Sequence, residues 1–90
     1  MTDEHQRIVK RNLVELCKGL NVEDIFVELI SEGILNEDDM ERIKLQGSQK
    51  DKTLFFLVNV FLKKPDSAFD KLVQILKVTD KEHCAELLQP

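Results

Sequence analysis

From Asn21 to Glu41 the sequence reads NVEDIFVELISEGILNEDDME. Val22, Ile25, Phe26, Leu29 and Ile30 follow the i, i+3, i+4, i+7, i+8 repeat of one helical face. Asn21 is placed to cap this second helix of the chain, and Gly33 supplies the left-handed residue that stops it. Ile34 and Leu35 then turn back toward a core, and Asn36 caps a third, short helix. Its first turn holds Glu37, Asp38 and Asp39, where the backbone dipole favours anions by roughly 0.3–1 kcal/mol each at exposed sites. The outer face of the second helix carries Glu23, Asp24, Glu28 and Glu32. Eight acids and no Lys or Arg lie between Glu23 and Glu41, a charge of −8.

The rest of the chain is the opposite. All thirteen cations lie outside that run, with clusters at Lys10/Arg11, Lys50/Lys52 and Lys63/Lys64, so a net charge of −4 conceals two sectors of opposite sign. Surfaces that serve only solubility intersperse both signs. A positive patch on one molecule can meet the negative patch on another, and because the patches differ the contact is heterologous and need not close after two subunits.

Working outward, a first helix is expected from Asp3 to Lys18, with Val9, Leu13, Leu16, Cys17 and Leu20 inward and Gly19 at its end. After the loop Gln46-Gly47-Ser48-Gln49 a fourth helix runs to Lys64, because the residue before Pro65 is driven out of helical geometry. Pro65 suits the first turn of a fifth helix bearing Phe69, Leu72, Val73 and Leu76. Thr79-Asp80-Lys81-Glu82 reads as a capping box that opens a sixth, with Cys84, Leu87 and Leu88 inward. Three Gly, two Pro, five Phe and neither Trp nor Tyr in 90 residues leave little material for strands and tight turns. The expected fold is all-α, a bundle of six short antiparallel helices in one domain.

Within the fourth helix, eight of the nine residues from Leu54 to Leu62 are apolar. One register buries Phe56, Leu57, Val60 and Phe61; the other buries Leu54, Leu57, Val58, Phe61 and Leu62. Either leaves apolar side chains over, and Phe55 is the expected centre of an exposed patch.

Catalysis finds no support. His83 and Cys84 are adjacent on a helix, so their side chains diverge by about 100°, and His5 stands near an N-terminus expected to fray. No C-x2-C or H-x3-H spacing suggests a metal, and no cofactor is implied. A pI of about 5.1 and Phe residues confined to apolar runs argue against nucleic acid. The longest apolar run is far below the ~20 residues that span a bilayer. Cys17 and Cys84 read as free thiols in a reducing cytoplasm.

The order and spacing of Leu29-Ile30-Ser31-Glu32-Gly33-Ile34-Leu35, Asp39-Met40-Glu41-Arg42-Ile43, Lys50-Asp51-Lys52 ahead of an apolar helix, and Ala68-Phe69 with Leu72 and Leu76 strongly resemble a caspase recruitment domain (CARD) of the death-fold superfamily. The likeness is greatest to the N-terminal domains of initiator and inflammatory caspases and of the apoptosome scaffold. It implies a Greek-key-like death fold and a non-catalytic cytoplasmic module of apoptotic or inflammatory signalling. Its partners would be CARD-containing proteins: caspases, adaptors, or NLR- or apoptosome-type scaffolds, with homo-oligomers also expected. It also implies an acidic binding face of Glu23, Asp24, Glu28, Glu32, Asp38, Asp39 and Glu41, and a basic face of Lys10, Arg11, Lys50 and Lys52. Where caspase-like members carry Arg in the body of the fourth helix, this chain has Phe55 and Phe56, so the resemblance casts it chiefly as a donor of the acidic surface. Short members of the family also act as decoys that occupy a partner, and the alternative outside the family is a passive bundle whose charge serves solubility alone.

Overall fold

Asn12 divides the expected first helix in two. The computed structural model, which describes residues 1–89, has α1 over Asp3–Arg11 and α2 over Leu13–Gly19. Asn12 sits at φ −104°, ψ 12°, and its side-chain amide donates to the Ile8 carbonyl at 2.8 Å and the Leu87 carbonyl at 3.0 Å. A side chain that shares the acceptor of the preceding turn competes with the backbone ladder, and the second bond ties the break to the far end of the chain. Val9, Leu16 and Leu20 enter the core as expected, whereas Leu13 and Cys17 are only half-buried.

The second helix is also shorter than its apolar repeat. Val22–Ile25 form a 3-10 turn, with the Asn21 side chain accepting the Glu23 N–H, and α3 covers only Phe26–Ser31. Ile30, expected inward, is at the surface. Gly33 takes φ +74°, and the Ile34 N–H reaches the Leu29 carbonyl at 2.9 Å while the Gly33 N–H reaches Ile30 at 3.0 Å. This pair of bonds is the Schellman stop that the glycine predicts, and it delivers Ile34 and Leu35 into the core.

α4 (Glu37–Lys44) opens on a reciprocal box: the Asn36 side chain accepts the Asp39 N–H at 2.8 Å, and the Asp39 carboxylate accepts the Asn36 N–H at 3.3 Å. Asp39 is 6% exposed, and it also receives Arg42 at 2.9 Å and Lys64 at 3.4 Å. Burial disfavours its charged form, but the Asn36 N–H, the Arg42 guanidinium and Lys64 together outweigh that and hold the carboxyl below the usual range.

α5 (Gln49–Phe55), capped by Ser48, runs into a π-turn over Phe56–Val60 and a 3-10 turn over Phe61–Lys63. The wider turn directs Phe56, Leu57, Val60 and Phe61 inward, the first of the two registers, and leaves Leu54 and Val58 partly in solvent. The Phe56 and Phe61 rings lie 5.6 Å apart, tilted by 38°. Three residues before the π-turn, Thr53 is fully buried; its hydroxyl donates to the Leu20 carbonyl at 3.0 Å and accepts the Val22 N–H at 3.2 Å.

Lys64 is extended ahead of Pro65, so the fourth helix ends where the proline requires. α6 (Ser67–Val78) starts two residues after Pro65, through a tight turn in which the Pro65 and Asp66 carbonyls accept the Ala68 and Phe69 N–H groups. Asp66 does not cap its own helix. Its carboxylate accepts the Thr2 N–H and hydroxyl, each at 3.1 Å, and meets the His5 ring, which stacks on Phe69 at 3.8 Å. The expected frayed N-terminus is therefore clasped to α6, with the Met1 nitrogen donating to the Lys64 carbonyl at 3.0 Å. The Thr2 N–H, with His5 and the Thr2 hydroxyl behind it, lowers the Asp66 pKa.

The capping box read at Thr79 to Glu82 does not form. Thr79 closes α6, its hydroxyl donating back to the Ile75 carbonyl at 2.7 Å, and α7 (Glu82–Leu88) has Lys81 before it with no side-chain cap. Asp80 takes φ +61°, and the Lys81 N–H returns to the Leu76 carbonyl at 2.8 Å. Asp tolerates that left-handed position through its short polar side chain, so the four residues end one helix instead of starting the next. Among the described residues there is no strand; seven α-helices, the first two being halves of one expected helix, enclose a single core.

Two outcomes follow from the buried polar ties. Thr53→Val leaves the Leu20 carbonyl and Val22 N–H without a partner and lowers unfolding free energy in urea by about 1–3 kcal/mol; a change within about 0.5 kcal/mol would show that the corner does not depend on the hydroxyl. Because the Asp39 pKa is depressed on folding, its contribution is complete above the unfolded value of about 3.9 and disappears as pH falls through the folded one. Asp39→Asn is accordingly less stable than the parent at neutral pH, and the two converge in acid; parallel urea titrations across pH test this, and a gap that persists into acid contradicts it.

Candidate functional site

Packing cancels half of the acidic sector internally. Glu23 meets Lys52 at 3.2 Å, Asp24 meets Lys81 at 3.9 Å, Glu41 meets Lys44 at 3.9 Å, and Asp39 is buried under Arg42 and Lys64. Glu28 on α3 and Glu32 at its C-cap, with Glu37 and Asp38 in the first turn of α4, make no ion pair among the described residues. Those four set the residual negative field. Asp39 was expected on the binding face, but its burial, its cap and its two cations make it part of the scaffold.

The basic side is thinned in the same way. Lys52, read as part of the basic face, is engaged by Glu23 of the acidic one. Lys10 and Arg11 are exposed on α1 and form no ion pair among the described residues, and Arg7 joins them one turn earlier around the same shallow hollow. The i, i+3, i+4 spacing of 7, 10 and 11 carries that signal, which the focus on adjacent pairs overlooks. Lys50 is exposed at the start of α5, beside the Cys17 thiol: burial pushes that thiol's pKa up, and Lys50 partly offsets it. Since α2 packs against α5, Lys50 stands next to the second half of the divided first helix.

Phe55 is not the centre of an exposed patch. It is half-buried against the core with the Arg42 guanidinium 5.9 Å from its ring centroid, because α5 packs on α4 along that side. Leu54 and Val58 face outward in its place.

The other candidate groups have structural surroundings. Cys84 is buried, which pushes its thiol upward against the pull of Lys81, while its neighbour His83 is exposed. Among the described residues no group of three or more His, Cys, Asp or Glu could hold a metal ion, and no helix is long and apolar enough to cross a membrane. What the geometry offers is a pair of charged faces, a free anionic one on α3 and α4 and a free cationic one on α1.

Comparison with known proteins bears on this arrangement. The family model described as Caspase recruitment domain matches residues 6–90. Caspase-2 of Gallus gallus is 26% identical over 84 residues, covering 93% of this chain and 20% of that protein, so the chain spans about a fifth of the relative's length. No solved structure matches. With the family match extending over nearly the whole chain and every described element helical, this protein belongs to the caspase recruitment domain family.

Proposed function

We propose that this domain binds other caspase recruitment domains, on caspases or their adaptors and scaffolds in the cytoplasm, through the anionic face Glu28, Glu32, Glu37 and Asp38 and, at a second contact, through the cationic face Arg7, Lys10 and Arg11. The family is a homotypic protein-interaction module of caspase and apoptotic signalling. The observation that carries the finer reading is the charge left after internal pairing: the anions of α3 and α4 and the cations of α1 have no partner within the described fold. Exposed pairs contribute only about 0–1 kcal/mol to folding, so leaving these groups unpaired costs the fold little and keeps their field available for association. Because the two faces differ, copies can also join head to tail.

The experiment is a binding panel of purified caspase recruitment domains, the matching region of caspase-2 among them, against parent and charge-reversed proteins. Glu28→Lys with Glu32→Lys is expected to abolish binding at the anionic face while helicity is retained, whereas Glu23→Lys, at a residue already neutralised internally, weakens it far less. Equal binding by all three proteins would remove the anionic face from the mechanism. Salt provides a separate check: raising ionic strength from ~0.05 to ~0.5 M contracts the Debye length from above ~10 Å to a few Å, so association should fall steadily. Strengthening with salt would point to apolar contacts instead.

A further inference from the structure

α3 and α6 leave between them an open groove of about 470 Å³. Val27 and Val78 stand on its rims at 76% and 74% exposure, with Ile75, only 4% exposed, between them. Isolated surface valines need no explanation, but two of them converging over a buried isoleucine form a continuous apolar surface of the kind that marks binding sites. The Lys71 ammonium donates to the Glu32 carbonyl at 3.3 Å, which sets the C-terminal end of α3 beside the first half of α6. Val27 therefore lies toward Val78, and the groove has an apolar end and, one to two turns away, an acidic one formed by Glu32 and Asp70. Lys71 is the sole cation lining it and is already held by that carbonyl.

We infer that this groove is a docking site for a short amphipathic helix of a partner protein, an occupant distinct from the folded domains proposed above, although the groove borders their anionic face and shares Glu28 and Glu32 with it. Such a helix presents an apolar side chain to Val27, Ile75 and Val78, and Lys or Arg one to two turns along to Glu32 and Asp70. Charge complementarity selects the cations, and the valines select the apolar anchor. A helix fits the length, since Asp70 to Val78 covers about 12 Å or roughly two turns. With no strand among the described residues there is no sheet edge for an extended peptide to join, which leaves the helix-in-groove mode.

The probe is a fluorescein-labelled peptide of about four helical turns, with Leu at i and i+4 and Lys or Arg beside them, titrated into the isotopically labelled domain. The expected result is saturable binding, with amide shifts centred on Val27, Ile75 and Val78. Val27→Ser with Val78→Ser should weaken the peptide roughly tenfold while leaving binding to the domain panel unchanged, because no charge is altered. A Glu-for-Lys version of the peptide should not bind. The inference is overturned by absence of peptide binding, by shifts centred elsewhere, by equal affinity for the serine variant, or by equal affinity of the Glu peptide. It is also overturned if the parent domain self-associates through these valines in sedimentation, since the occupant is then a second copy. Should the double variant lose helicity, Val27→Ser alone and the parent's shift map decide.

Discussion

A helix leaves four N–H groups at one end and four carbonyls at the other without internal partners, and where α3 has six residues and α2, α5 and α7 have seven, such end groups make up a large share of the backbone. Satisfying those ends is the constraint on which this architecture rests. It is met by a different device at nearly every corner: the Thr2 hydroxyl before α1, the Thr53 hydroxyl between α2 and the turn into α3, Gly33 after α3, the Asn36–Asp39 box before α4, Ser48 before α5 and the left-handed Asp80 after α6. Thr53 and Asp39 are the two buried polar residues among a core of apolar ones. Each ties together segments distant in sequence, and no buried polar side-chain atom is left unpaired among the described residues.

The same economy governs charge. A run of eight acids cannot all face the same solvent without mutual repulsion, and the fold relieves it by bringing Lys52, Lys81 and Lys64 across from other helices. These pairs bridge elements, which is why adjacency in sequence gave no hint of them. The faces that remain are narrower than the sequence pattern suggests and sit on different helices, so one molecule can use both at once.

Much of the fold was legible because its signals are local. The apolar repeat at Val22–Leu29, the stop at Gly33, the Asn36 cap and the end before Pro65 each depend on a handful of neighbouring residues, and each is found where expected. What could not be read depends on partners far along the chain. Asn12 breaks a helix because Leu87 is there to accept its second bond. Phe55 turns partly inward because α5 packs on α4 along that side. The candidate faces follow the same rule: sign and order were visible, and the spacing of Arg7 to Lys10 and Arg11 already carried its place, while the loss of Asp39 and Lys52 to internal pairing needed the packed structure.

The clasp around α1 sets an order on folding. Its bonds join residues 61, 63 and 64 positions apart, and Asn12 reaches across 75. Ordering so long an intervening chain carries an entropic cost that grows with its length, and contacts at large sequence separation form slowly. During synthesis α1 emerges first, yet it cannot be fixed until α6 and α7 have left the ribosome. The cationic strip on α1 is thus held in place only once α6 and α7 exist. The anionic face waits on α6 too, since α3 packs against that helix and Lys71 donates to the Glu32 carbonyl, so a nascent or truncated chain presents neither face in its final geometry.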